Sequence, residues 1–221
     1  MNDLNKSKIS KISISKNKHP LWAKKLVRIA LWIAYSGYKT KGIENIPTEG
    51  PLIIASTHLS YLDPIILSAF ISRNLFYYAK KELFRNYFFS KLITRFGAIL
   101  IDRDGFTRRS FQIGNKILKS EECIVIFPEG GILEKRDQLI IKSGIGMISA
   151  LSNTPILPVS IKGSDTLFNL RSLFSDSTRL SLNFGKIINP KQIEFQSKSE
   201  HRKKITKMVE DSIEKLENES V

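Results

Sequence analysis

Six short apolar, β-branched runs punctuate this chain: PLIIAS (51–56), LFYYA (75–79), GAILI (97–101), CIVIF (123–127), ILPVSI (156–161) and RLSLNF (179–184). Strands this apolar leave no face for water, so they belong in a sheet covered on both sides. The segments between several of them carry helical patterning: PIILSAFIS after Asp63, TRRSFQIGNKILKS after Gly105 and SGIGMISALSN after Lys142. A charged helical stretch from PKQIEF to the C-terminus closes the chain. Strand–helix alternation of this kind predicts an α/β fold. At 221 residues and 42% hydrophobic, the chain can bury a full core.

The Gly- and Pro-bearing stretch TKGIENIPTEGP (40–51) divides the chain into a basic N-terminal segment, residues 1–42, and an α/β body, residues 43–221. The net charge of +14 is concentrated early and attracts polyanions: nucleic acid, anionic headgroups or small phosphorylated molecules. Met1 to Lys18 partly fits the Ser-rich, acid-poor pattern of a transit peptide. LVRIALWIAYSGY is interrupted by Arg28, which argues against a secretory signal, and it is too short to span a bilayer. From Pro20 onward, Leu21, Trp22, Leu26, Ile29, Ala30, Trp32 and Ile33 recur near helical spacing, with Lys24, Lys25 and Arg28 interleaved. Such a helix either lies in a bilayer interface or packs on its own domain.

In α/β sheets, sites form where strands end and loops begin. The first run delivers THLSYLDP, in which Asp63 follows His58 by five positions. Imidazole can take a proton near neutral pH, and a carboxylate can fix its tautomer and stabilise its cation. On a helix the two side chains would point about 140° apart, so their meeting requires a turn. The competing reading makes Asp63 and Pro64 the N-cap and N1 pair of the next helix, with His58 structural. The second run ends in Lys80 and Lys81, an anion site or a solvated helix start. The third ends in IDRDG, where Arg103 can fork onto a phosphate or pair with Asp102 or Asp104. The fourth ends in FPEGG: Glu129 stands in a turn whose Gly130 and Gly131 allow positive φ and close ligand approach.

Several chemistries are unsupported. The single cysteine, Cys123, excludes a disulfide framework and thiolate metal clusters, and it suits a reduced compartment. His19 and His201 have no second ligand at metal spacing, so no metal is expected. There is no nucleophile elbow, no phosphate-binding P-loop and no recognised nucleic-acid module. GIGMIS (144–149) lacks the third glycine of a dinucleotide loop, and helix packing explains it better.

The blocks H-LSYL-D, GAILIDR, FPEGG and ILPVSI, in that order, resemble the glycerolipid acyltransferase family. Within it they look most like the 1-acylglycerol-3-phosphate acyltransferases (PlsC-like) of bacteria and plastids. The lead-in GIENIPTEGPLIIASTHLSYLDP and the stretch YYAKKELFRNYFFSKLITRFGAILIDR carry the same likeness, over about residues 40 to 165.

The resemblance implies a mixed, largely parallel sheet flanked by helices, with an N-terminal amphipathic helical segment that meets the membrane. It implies transfer of an acyl group from acyl-CoA or acyl carrier protein to the sn-2 hydroxyl of lysophosphatidic acid, giving phosphatidic acid, with no cofactor. His58 and Asp63 form the HX4D pair of general base and orienting carboxylate. Lys80 and Arg103 stand at the family's phosphate-holding positions, Glu129 and Gly130 shape the acceptor site, and Pro158 borders it. The expected partners are a lysophospholipid, the acyl donor and an anionic membrane surface, with no nucleic acid. The expected location is the membrane periphery, on a cytoplasmic or plastid-stromal face.

Two positions depart from the family pattern. Ile132 stands where an arginine that also meets the acceptor phosphate is usual, leaving Arg136 or Lys142 as substitutes; Thr57 stands where an Asn commonly precedes the histidine. These departures keep open another lysophospholipid or glycerol 3-phosphate as acceptor. They also keep open a basic membrane- or nucleic-acid-binding protein on the same scaffold.

Overall fold

The structure is a computed structural model that describes residues 21–80, 84–85, 87–95, 97–101, 107–132, 140–166 and 180–219. Arg103, Arg136, Met1 to Lys18 and the side chain of Lys80, all singled out above, lie outside what is described.

Seven strands form one sheet: β1 (Tyr38–Lys41), β2 (Leu52–Ser56), β3 (Leu75–Lys80), β4 (Ala98–Ile101), β5 (Cys123–Ile126), β6 (Ile156–Lys162) and β7 (Leu180–Phe184). Their order is β1-β7-β6-β2-β5-β3-β4. Every pairing is parallel except β6 with β7. The expected mixed, largely parallel sheet is therefore present. Period-two geometry sends alternate side chains to opposite faces. Leu52 and Ile54 of β2 enter one core and Ile53 and Ala55 the other.

Helices cover both faces. α1 (Leu21–Ala34) and α2 (Asp63–Phe70) pack on the first, giving Leu31, Ile66, Leu67 and Phe70 to its core. α4 (Arg108–Lys119), α5 (Gly144–Ser152) and α6 (Lys198–Asn218) pack on the second through Ile117, Ile145, Ile148, Ile205 and Val209. A short α3 (Tyr87–Arg95) precedes β4. In the GIGMIS stretch, a β-carbon on Gly146 would collide with the Arg202 carbonyl and the Thr206 hydroxyl of α6. That glycine permits close helix packing.

Two features differ from the sequence expectation. β1 falls inside the stretch assigned to the N-terminal segment, yet it pairs with β7 as an edge strand. Its YKTK sequence is largely exposed and carries little apolar signal; Tyr38 packs edge-on to Phe70 at 4.8 Å, and backbone pairing recruits the rest. Two of the three cations of α1, Lys24 and Arg28, also face the protein rather than sitting opposite it, while Lys25 is exposed. Lys24 Nζ donates to the carbonyl of Ile71 at 2.7 Å, and Arg28 Nε to that of Ala69 at 2.7 Å. These are carbonyls that the end of α2 leaves without helical partners, and a cation there is doubly favoured. Burial, with Arg28 nearby, lowers the Lys24 pKa to about 8. The opposite face of α1 exposes Trp22, Leu26, Ile29, Trp32 and Ile33. Among the described residues, no helix is long and apolar enough to cross a membrane.

Candidate active site at the C-terminal edge of the sheet

β2, β5, β3 and β4 are parallel neighbours, so the loops after them gather along one edge of the sheet. The residues after β2 are pinned first. Thr57, fully buried, donates its hydroxyl to the Ile161 carbonyl at 3.2 Å and accepts the Ile161 amide at 2.8 Å. The departure at position 57 thus ties the end of β2 to β6. Pro158, expected to border the site, instead lies within β6 opposite Ala55, buried below this edge.

Beyond Thr57 the chain turns until Asp63 opens α2. Pro64 fits the first turn of a helix, where its missing N–H is no loss. The Asp63 carboxylate does not cap α2 in the expected way. It reaches backward, and its Oδ2 accepts three bonds: His58 Nδ1 at 2.9 Å, the Leu59 amide at 2.7 Å and the Ser60 amide at 2.8 Å. The turn solves the angular problem that a helix would pose, because one oxygen gathers every donor of the HLS segment. An oxygen that accepts two amide hydrogens is an acceptor for the imidazole too, so Nδ1 carries the proton and Nε2 is left with its lone pair. Asp63 is fully buried, while the His58 side chain keeps 15% exposure. The imidazole stacks on Phe127, with centroids 3.9 Å apart and planes 16° from parallel. The sequence did not single out Phe127; the only signal for it is its place as the last residue of a strand run adjoining the first. With its proton, orientation and one face fixed, His58 offers a basic nitrogen at the sheet edge.

Phe127 leads into the second part of the site. The Gly130 amide donates to the Phe127 carbonyl at 3.0 Å, closing a tight turn that contains Pro128 and Glu129. Gly130 has φ +81°, a conformation that L-residues resist, which is why glycine stands there. Both carboxylate oxygens of Glu129 are buried without a hydrogen-bond partner among the described residues. That burial pushes its pKa up to about 7; its own amide and that of His58 pull the other way, and Asp63 adds repulsion. A buried acceptor left open is costly in a resting protein and calls for an explanation. Lys80 ends β3 opposite Ile101, the last residue of β4, on the same edge of the sheet. The structure therefore brings His58, Asp63, Glu129 and Gly130 together and sets the backbone of Lys80 on their edge.

Known proteins match both the fold and the sequence. The sequence model of the Acyltransferase family matches residues 37–162, more than half of the chain. The 1-acyl-sn-glycerol-3-phosphate acyltransferase of Bacillus subtilis is 26% identical over 183 residues, 82% of this chain and 89% of that protein. The enzyme of the same name from Borreliella burgdorferi is 26% identical over 194 residues, 86% of this chain and 75% of that protein. The crystal structure of the 1-acyl-sn-glycerophosphate (LPA) acyltransferase PlsC from Thermotoga maritima superposes with a TM-score of 0.71 at 24% identity. That match covers 100% of this chain and 86% of that one, and it supports the fold. With the family's sequence pattern running from β1 to the end of β6 and the same fold around it, this chain belongs to the Acyltransferase family.

Proposed function

We propose that this acyltransferase moves a fatty acyl group from an acyl thioester to the sn-2 hydroxyl of 1-acylglycerol-3-phosphate, yielding phosphatidic acid. The observation that carries the reading is the bond from His58 Nδ1 to Asp63 Oδ2 at 2.9 Å, which leaves Nε2 free to act as a base. In the proposed step, Nε2 takes the proton of the acceptor hydroxyl as its oxygen attacks the thioester carbonyl carbon. The tetrahedral species collapses, the C–S bond breaks, and the imidazolium returns its proton to the departing thiolate. Asp63 stabilises the imidazolium between these transfers. No acyl-enzyme is required, since the acceptor is itself the nucleophile. Glu129 accepts a hydrogen bond from the glycerol backbone, and Lys80 and Arg103 hold the phosphate. The donor is acyl-CoA or acyl carrier protein; both present the same thioester.

The enzyme works, on this reading, from the surface of an anionic membrane. α1 turns Trp22, Leu26, Ile29, Trp32 and Ile33 outward, and the net charge of +14 favours anionic headgroups. The inward-facing Lys24 and Arg28 anchor that helix to the domain. Cosedimentation with anionic vesicles tests this: Trp22→Ala with Trp32→Ala lowers binding by about tenfold and leaves the melting temperature unchanged. Equal binding by the double variant removes α1 as the docking face.

The chemistry is tested by thiol release from acyl-CoA and acyl carrier protein, scored against a panel of lysophospholipids and glycerol 3-phosphate. His58→Ala lowers the rate by about 10²–10⁴-fold without loss of fold. Wild-type turnover in that variant rules out His58 as the base. Ile132, an apolar residue in the acceptor turn, favours one competing reading in which a differently charged acceptor is used. Turnover of such an acceptor, with lysophosphatidate inert, would sink the acceptor assignment and keep the mechanism.

A further inference from the structure

The Glu129–Gly130 turn has a cation of its own that the proposed mechanism does not use. Lys142 belongs to the return of the loop that leaves β5, and its amide donates to the Pro128 carbonyl at 2.9 Å. That bond fixes residue 142 beside the turn. From there its side chain crosses directly over Gly130. A β-carbon on Gly130 would lie 3.0 Å from Lys142 Cε and 3.2 Å from Cδ, and would collide with Nζ. The bare backbone of Gly130, at φ +81°, thus leaves the space that the ammonium occupies. Lys142 is exposed, and none of the ion pairs among the described residues includes it. Two residues further on, α5 begins with no side-chain cap and no acidic residue in its first turn, so its end adds positive potential. Ile132, in the same turn, brings no charge.

The dimensions of the acceptor bear on where that ammonium can act. Only two carbons and one oxygen separate the sn-2 oxygen of a glycerol phosphate from its phosphorus. With the hydroxyl at His58 Nε2, the phosphate must therefore lie within about a side chain's length of His58. His58 stacks on Phe127 at 3.9 Å, and Gly130 closes the turn that starts at Phe127. We propose that Lys142 is a specificity-determining residue: its ammonium, seated over Gly130, binds the phosphate of the acceptor. An ammonium on a flexible stem meets phosphate as a point charge, without the fixed fork of an arginine. The inference rests on the reading of the acceptor as a glycerol phosphate ester.

Lys142→Met keeps the length and removes the charge; Lys142→Arg keeps the charge. Loss of a charged hydrogen bond raises the KM for lysophosphatidate about tenfold or more in Lys142→Met, with kcat within about threefold of wild type. Inhibition by free glycerol 3-phosphate weakens in parallel, and Lys142→Arg restores both. Lys142→Gln serves if the Met variant folds poorly by circular dichroism. A KM for lysophosphatidate unchanged in folded Lys142→Met or Lys142→Gln, beside an active wild type, overturns this proposal alone. A wild type inert toward lysophosphatidate overturns the acceptor assignment, and this proposal falls with it.

Discussion

Asp63 and Glu129 are both buried carboxylates, set at the ends of neighbouring strands, and they are used in opposite ways. Asp63 Oδ2 holds three donors, one of them the imidazole. Among the described residues, Glu129 holds none on either oxygen. The first carboxylate builds the turn it sits in: without it, the Leu59 and Ser60 amides and His58 Nδ1 would have no common acceptor. The second contributes nothing to the turn around it, which closes through the Gly130 amide instead. The contrast separates two jobs within one site. On the proposed mechanism, one acidic residue preorganises the base and the other keeps its oxygens open for the acceptor. Asp63 does retain one open oxygen, Oδ1, buried without a partner. The contrast therefore lies in what each group already holds and not in burial.

Asp63→Asn puts the greatest strain on this comparison. An amide oxygen can still accept from Leu59 and Ser60, so the turn survives. That same oxygen still meets His58 Nδ1, but a neutral amide cannot stabilise the imidazolium, so proton transfer to Nε2 is disfavoured. We expect thiol release to fall by about 10²–10⁴-fold, while the melting temperature drops only slightly. Asp63→Ala, which strands the two buried amides as well, should cost about 3–5 kcal/mol of stability on top of the same catalytic loss. Asp63→Asn retaining near wild-type rates would mean that the carboxylate is structural, and the division of labour would collapse.

Glu129→Ala carries a smaller and differently shaped effect. If the open carboxylate receives a donor from the acceptor, its removal should raise the acceptor KM by about ten- to a hundredfold, the worth of a charged hydrogen bond. The KM for the acyl donor should stay put, and so should the fold. Loss of kcat with no change in acceptor KM would move Glu129 from binding to the positioning of His58, whose amide it adjoins.

The asymmetry between the two carboxylates explains how far the sequence could be read. The apolar runs at 52–56, 75–80, 98–101, 123–126, 156–162 and 180–184 are strands, since burial on both faces favours apolar residues at most positions. β1 escaped because three of its four residues are exposed and only Tyr38 packs inward. The His58 and Asp63 pairing was visible as a spacing, yet the direction in which Asp63 bonds was not. A residue before proline at a helix start suggests a forward cap, and only the turn geometry reverses it. In α1, periodicity separated two faces but could not say which faces inward. That depended on carbonyls at the end of α2, far away in sequence. The open state of Glu129 is likewise a matter of what surrounds it in space.

The smallest effect is also the one that isolates Glu129 from catalysis altogether. Its carboxyl titrates at about 7 in the folded protein, chiefly because burial disfavours the charge, against 4.5 for the unburied group. Between those two values the folded state holds a proton that the unfolded state has released. Stability attributable to this proton is fully present below pH 4.5 and is lost as pH rises through about 7. A shift of that size bounds the change at about 3 kcal/mol, and water entering the open site brings the expected value nearer to 1 kcal/mol. Glu129→Gln cannot ionise, so denaturant melts of the variant should lack this fall, and above pH 7 it should be the more stable protein. Acceptor binding should narrow the difference, because a ligand donor favours the ionised form. Parallel pH profiles for wild type and Glu129→Gln would mean that the carboxylate already has its donors in solution, and that the two acidic residues are alike after all.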